Sequence, residues 1–244
     1  MNRALASVGA RSGDCVILLH GLARTEASFL ALQAVLEQAG YLVVNQGYAS
    51  TSAPVEELAE AALPAAFEAC PGDGPIHIVT HSMGGILTRL WLARTRPERL
   101  GRVVMMGPPN RGTELVDTFG RIAVFGWLSG PAGQQLGTGE GSVPRGLPPV
   151  SYEVGVIAGS RSVNPVSSAL LPGPNDGKVT VEATHVEGET DHVVLPVSHT
   201  FMMVNPLAMA QVLLFLRDGE FAPGLSLRDL MSWGAVSAPD QSTG

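Results

Sequence analysis

Apolar residues fall along this chain in two rhythms that alternate. Cys15-Val16-Ile17-Leu18-Leu19 is a continuous apolar run, which predicts a strand buried on both faces. It leads into His20-Gly21-Leu22-Ala23-Arg24-Thr25, and the spacing then predicts a helix capped by Thr25 that runs to Gln38, with Gly40 as its stop. Tyr41–Val44 reads as a second strand, and Pro54 opens a helix to about Cys70, with Glu56 and Glu57 in the first turn where the helix dipole favours them. Ile76–Thr80 is a third strand, Ser82–Arg94 a helix and Arg102–Met106 a fourth strand. Tyr152–Ala158 predicts a fifth strand, Thr180–Glu187 a helical turn, Asp191–Val194 a last short strand and Pro206–Arg217 a closing amphipathic helix. Strands and helices alternating in this way predict an α/β fold with a mainly parallel, doubly wound sheet and helices on both faces.

The rhythm breaks between Gly107 and Pro149. This stretch is rich in glycine and proline yet carries Leu115, Phe119, Ile122, Val124, Phe125, Trp127 and Leu128, too apolar a set for a solvated linker. The expectation is one domain over residues 1–244 with a lid-like insertion at about 111–149, short helices first and an irregular stretch from Gly130 onward. Residues beyond about Pro223 read as a weakly ordered tail, with Leu225, Leu227, Leu230 and Trp233 able to dock.

The chemistry is concentrated in Thr80-His81-Ser82-Met83-Gly84-Gly85, where a serine stands between a strand and a helix. That is the arrangement of a nucleophile elbow, a turn so sharp that small residues are needed two positions to either side. Thr80 stands where the general G-x-S-x-G pattern has its first glycine. A serine hydroxyl becomes a nucleophile only with a base in reach and a third group to orient that base. In the doubly wound hydrolase arrangement the order is serine, acid, histidine. Ser82, Asp176 in Asn175-Asp176-Gly177, and His199 after the last strand follow that order. Asp191 is the competing carboxylate, but it directly precedes the last strand and reads as part of it. Of the other histidines, His77 reads as a packed or edge residue, His81 as support for the elbow, and His185 and His192 as surface or supporting groups. The backbone N–H groups of Met83 and Leu22 are the candidate oxyanion donors, with Gly21 permitting close approach.

His20–Thr25, Thr80–Gly85, Gly107-Pro108-Pro109-Asn110-Arg111-Gly112-Thr113 and Asn175–Gly177 together resemble the lipase-like serine esterases of the α/β-hydrolase superfamily, over roughly Val16 to Leu216. The resemblance implies a Ser82–His199–Asp176 triad, an oxyanion hole at Leu22 and Met83, and a substrate-lining role for His20, Gly21 and Pro109. It implies a carboxylic ester hydrolase working through an acyl-enzyme on Ser82, on short- to medium-chain acyl esters, with no cofactor and no metal. The alternatives are a lipase or acyltransferase using the same triad, or a catalytically silent scaffold that binds a ligand or partner.

The remaining properties narrow the partners. Of 244 residues 45% are hydrophobic and only 15% charged, which suits a buried parallel sheet, and the net charge of −7 argues against nucleic acid or anionic membrane surfaces. Two cysteines give no disulfide framework and no metal-ligand spacing, so Cys15 and Cys70 are expected to be packing residues. No apolar run approaches the roughly 20 residues of a membrane span, and Met1–Gly13 lacks the apolar core of a signal peptide. The expectation is a cytoplasmic enzyme acting on a small-molecule ester, with no integral membrane association; nothing in the sequence specifies the oligomeric state.

Overall fold

A computed structural model describes residues 13–119 and 130–230. The apolar residues of the insertion from Ile122 to Leu128, residues 1–12 and the tail beyond Leu230, with Trp233, lie outside the described residues. Six strands, β1 (Cys15–Leu19), β2 (Leu42–Gln46), β3 (Ile76–His81), β4 (Leu100–Met106), β5 (Val154–Gly159) and β6 (Asp191–Leu195), form one sheet in the order β2-β1-β3-β4-β5-β6. Every neighbouring pair is parallel.

The continuous apolar runs are explained by what covers them. Along β1, Cys15, Ile17 and Leu19 point into a core shared with helices α2 (Val55–Ala69) and α3 (Met83–Leu92). Val16 and Leu18 point into the opposite core with Phe29, with Leu32 and Leu36 of α1 (Leu30–Gln38), and with Val212, Phe215 and Leu216 farther along the chain. All five residues of β1 are fully buried. A side-chain period of two with both faces covered leaves no position for a polar residue.

Chain direction reverses between β1 and β3. From β1 the chain crosses through α1 to the edge strand β2, then returns through α2 on the other face to β3, on the far side of β1. The helices that follow β1 and β3 thus pack on opposite faces of the sheet, and it is at such a switch point, at the carboxyl ends of the strands, that ligands of open α/β sheets bind.

Boundaries differ from the sequence expectation in a few places. Glu26–Phe29 forms a 3-10 turn ahead of α1, and Thr25 caps it through its backbone carbonyl, which accepts from the Ser28 N–H, rather than through its side chain. Short helices α4 (Glu114–Phe119) and α5 (Val143–Gly146) lie in the insertion, and residues 130–134 are helical where an irregular stretch is expected. Farther on, α6 (Pro165–Ala169) and α7 (Val181–Thr184) are single turns, and α7 is capped by the Thr180 hydroxyl. The closing helix α8 (Pro206–Asp218) starts at Asn205, whose side chain accepts from the amides of Leu207 and Ala208, and stops at Gly219 in the left-handed region.

The cysteines correct the sequence reading. Cys15 and Cys70 form a disulfide, with Cα atoms 5.9 Å apart and a sequence separation of 55. The start of β1 and the end of α2 both lie at the amino-terminal edge of the sheet, so residues remote in sequence become neighbours there. Closing a loop of that length restricts the unfolded chain, and the expected stabilisation is about 4 kcal/mol. Replacing both cysteines by alanine should lower the unfolding free energy by roughly 2–4 kcal/mol in a urea titration. An unchanged midpoint would remove the disulfide from the account of stability.

Candidate active site

Ser82 stands between the last residue of β3 and the first of α3, with φ 56° and ψ −122°. A non-glycine residue in this region costs on the order of 1–3 kcal/mol and persists only where the surroundings hold it. Here the Ser82 amide donates to the Met106 carbonyl at 2.9 Å. The small residues around it are set by contact. A Cβ on Gly84 would come within 2.3 Å of the Leu19 carbonyl oxygen, and one on Gly21 within 2.9 Å of the Ser82 Cβ. Thr80, in the place of the usual first glycine, is fully buried and its hydroxyl donates to the Val104 carbonyl at 3.5 Å.

Asp176 and His199 meet from different loops. The His199 Nδ1 and the Asp176 Oδ2 are 2.7 Å apart, and both residues are buried. The second carboxylate oxygen, Oδ1, accepts from the amides of Lys178 at 2.9 Å and Val179 at 2.8 Å. The His199 amide also donates to the Asp176 carbonyl at 3.0 Å. The carboxylate is thus fixed by donors on both oxygens, and with Nδ1–H donating to it the imidazole presents Nε2 elsewhere. Gly107, with φ 58°, passes close by; a Cβ there would lie 3.1 Å from His199 Nδ1.

His81 packs beneath this pair. Its Nε2 lies 3.0 Å from the His199 carbonyl oxygen, which can only accept, so Nε2 carries the proton and Nδ1 is left as a buried acceptor without a partner. Burial holds the His81 pKa well below its ordinary 6.5, and the charges of His199, Arg24 and Lys178 push the same way. Only the hydrogen bond to the His199 carbonyl opposes them.

Ser82, His81 and His199 line one cavity of about 520 Å³, walled mainly by apolar side chains such as Leu22, Leu115, Val116 and Leu136. Gly21, Leu22 and Pro109 line it. His20 does not: it is fully buried, stacked on Tyr48 at 4.2 Å between ring centroids, with its Nδ1 3.0 Å from the Gly21 carbonyl oxygen. The Tyr48 hydroxyl donates to the His20 carbonyl at 2.6 Å, so His20 shapes the loop rather than the cavity wall. Burial also lowers the His20 pKa. Met83 is fully buried, and as the first residue of α3 its N–H lies ahead of the helical ladder.

The competing carboxylate has another task. The Asp191 Oδ1 and Oδ2 accept from the amides of His192 and Phe221, both at the sheet edge. His185 and His192 stack on each other at 3.8 Å and bond to Glu189 and Thr184, outside this cavity. His77 accepts from the Arg102 amide at 2.9 Å and lies 3.6 Å from Asp14; its pKa is lowered by burial despite that carboxylate. Sequence reasoning missed Arg89, a buried arginine of α3 whose guanidinium donates to the Asn110 side chain and to the carbonyls of Asn110 and Pro148. It anchors the loop that carries Pro109. Arg24, Lys178, Asn164 and Ser167 also line the cavity and were missed. Among the described residues no group of His, Cys, Asp and Glu is arranged to hold a metal ion, and no helix is long and apolar enough to cross a membrane.

The sequence profile described as alpha/beta hydrolase fold matches residues 14–141, more than half of the chain, and the protein belongs to this family. Among solved structures it is similar to the mature lipase BlEst2 of Bacillus licheniformis, at 16% identity and a TM-score of 0.68, covering 86% of this chain and 93% of that one. It is also similar to the phospholipase PlaB of Legionella pneumophila, at 16% identity and a TM-score of 0.65, over 85% of this chain but 59% of that one. The metagenomic carboxyl esterase MGS0156 aligns at 20% identity and a TM-score of 0.61, over 78% and 66% of the two chains. Likeness at these identities establishes a shared fold. No curated protein sequence matches significantly.

Two expectations follow from the packing. Gly84→Ala should destabilise the protein by about 3 kcal/mol or prevent folding, because the clash is with backbone; a near-wild-type urea midpoint would contradict this. His20, His77 and His81 are all held below their ordinary value by burial. In the window between those lowered values and about 6.5, the unfolded chain binds protons that the folded chain refuses. Stability should therefore be complete above that value and decline toward acid, each group contributing at most about 1.4 kcal/mol per pH unit. Urea titrations at neutral and mildly acidic pH check the sign.

Proposed function

We propose that this protein is a serine hydrolase of carboxylic esters, with Ser82 as nucleophile, His199 as general base and acid, and Asp176 as the group that orients it. The observation that carries this reading is the buried His199–Asp176 pair at 2.7 Å, opening on the same cavity as a serine in strained backbone geometry. His199 Nε2 takes the Ser82 proton as Oγ bonds to the ester carbonyl carbon. The proton then passes to the departing alcohol oxygen as the acyl carbon–oxygen bond breaks. Water, deprotonated by the same imidazole, attacks the acyl carbon; the bond from that carbon to Ser82 Oγ breaks, His199 returns the proton to Oγ, and the acid is released. The amides of Leu22 and Met83 receive the oxyanion, the second at the positive end of α3. Gly21 and Pro109 contact the substrate.

The lipase, phospholipase and carboxyl esterase among the similar structures support ester hydrolysis as the chemistry. The apolar cavity of about 520 Å³ fits short- to medium-chain acyl groups, and the segment at 111–149, whose Leu115, Val116 and Leu136 wall it, acts as a lid in a single-domain enzyme. The Cys15–Cys70 disulfide favours an oxidising compartment over the cytoplasm expected from the sequence.

Ser82→Ala should abolish hydrolysis of p-nitrophenyl butyrate and labelling by a fluorophosphonate probe, with a loss of about 10⁴-fold or more in turnover. Retained hydrolysis would overturn the assignment of the nucleophile, and an unlabelled wild-type protein would favour a silent scaffold. Across an acyl series, rates should peak at short to medium chains; a preference for long emulsified chains would make the protein a lipase.

A further inference from the structure

Two cations in the cleft have no role in the chemistry above. Arg24 leaves the loop after β1, and its guanidinium donates at 3.5 Å to the carbonyl of Thr200, the residue after His199. Lys178 lies two residues beyond Asp176, on the loop whose amides hold that carboxylate. Both line the cavity that contains Ser82 and His199, and among the described residues no aspartate or glutamate lines it with them. Four arginines of the protein pair with carboxylates, Arg94 with Glu56, Arg102 with Glu153, Arg111 with Glu182 and Arg217 with Asp218, whereas Arg89, Arg99 and Arg145 donate to backbone carbonyls away from this cavity. Among the described residues neither Arg24 nor Lys178 forms an ion pair.

The two are close enough to act on each other. Lys178 is exposed, and its pKa is lowered first by desolvation from the surrounding protein and then by Arg24, with Asp176 opposing. Both charges are also felt at His81, beneath the histidine of the site. Like charges without a carboxylate partner on the lining of an apolar cavity attract an anion from solvent. Their position says which half of a substrate would carry it. Arg24 is tied to the chain beside His199, and Lys178 to the loop of Asp176, so both flank the group that hands a proton to the leaving alcohol. The apolar wall of Leu22, Leu115, Val116 and Leu136 is left for the acyl chain.

We propose that Arg24 and Lys178 form an anion-accepting rim, and that the preferred substrates are esters with an apolar acyl chain and a phosphate, or a similar anionic group, on the alcohol half. This rests on the ester-hydrolase reading and deepens it. A lipid headgroup and a small soluble phosphate ester would present the same chemistry.

The test compares kcat/KM for monobutyryl glycerol phosphate with that for neutral monobutyryl glycerol. Wild type should favour the phosphate ester by roughly tenfold, the scale of one or two charge-assisted hydrogen bonds. The Arg24→Gln/Lys178→Gln double variant should bring the ratio close to unity, and about 0.5 M sodium chloride should narrow it in wild type. A wild-type ratio at or below unity, or a preference that survives in the double variant, would overturn the proposal. Vesicles containing phosphatidic acid, compared with the monomeric ester, distinguish the lipid source from the soluble one; faster turnover of either supports the anionic rim. Binding is measured separately by titrating octyl phosphate and octanol into Ser82→Ala. Tighter binding of the phosphate, lost when Arg24→Gln and Lys178→Gln are added, supports the rim even if wild type hydrolyses neither ester. Equal binding of the two ligands would refute it even if ester hydrolysis stands.

Discussion

The loops that leave β1 and β3 must approach almost to van der Waals limits, and much of the site depends on that approach. Gly21 and Ser82 are so close that a single methyl group between them would force a shift, and Gly84 faces the carbonyl oxygens of Leu19 and His20. The approach holds the serine in backbone angles that an isolated chain would leave. It also brings the Leu22 loop onto the cavity that Ser82 lines. The strain at Ser82 is balanced by two fully covered cores, because a sheet packed on both faces does not relax locally.

The opposite wall of the cleft depends on hydrogen bonds rather than on close packing. Asp176 is held by two amides and by His199, and the His199 main chain is held in turn by the Asp176 carbonyl and by His81. His81 serves this purpose because it is neutral. A protonated imidazole at that depth would sit among His199, Arg24 and Lys178 with no carboxylate of its own. Its spare Nδ1 acceptor is the cost of keeping the charge out.

Much of this was legible in the sequence wherever the deciding physics is local. A serine between an apolar strand and a helix, glycines at contact positions, and an acid and a histidine in the right order are features of short segments, and the structure joins Asp176 to His199 as that order implies. Asp191 was separable from Asp176 because it precedes a strand directly, and it serves the backbone there. Features that depend on tertiary approach were not legible. The Cys15–Cys70 pairing needs the fold to bring the start of β1 beside the end of α2, and two cysteines alone carry no sign of it. The family resemblance implies a substrate-lining role for His20, but stacking on Tyr48 turns it inward, and no motif encodes that partner. Arg24 belongs to a quoted motif and Lys178 directly follows another, yet their shared cavity appears only once two distant loops are set side by side.

The disulfide sits at the amino-terminal edge of the sheet, and the cavity lined by Ser82 and His199 lies at the other edge. The covalent cross-link and the cavity thus stand at opposite ends of the same strand. Loss of the cross-link would loosen the margin of the sheet remote from Ser82 while leaving the surroundings of that serine alone.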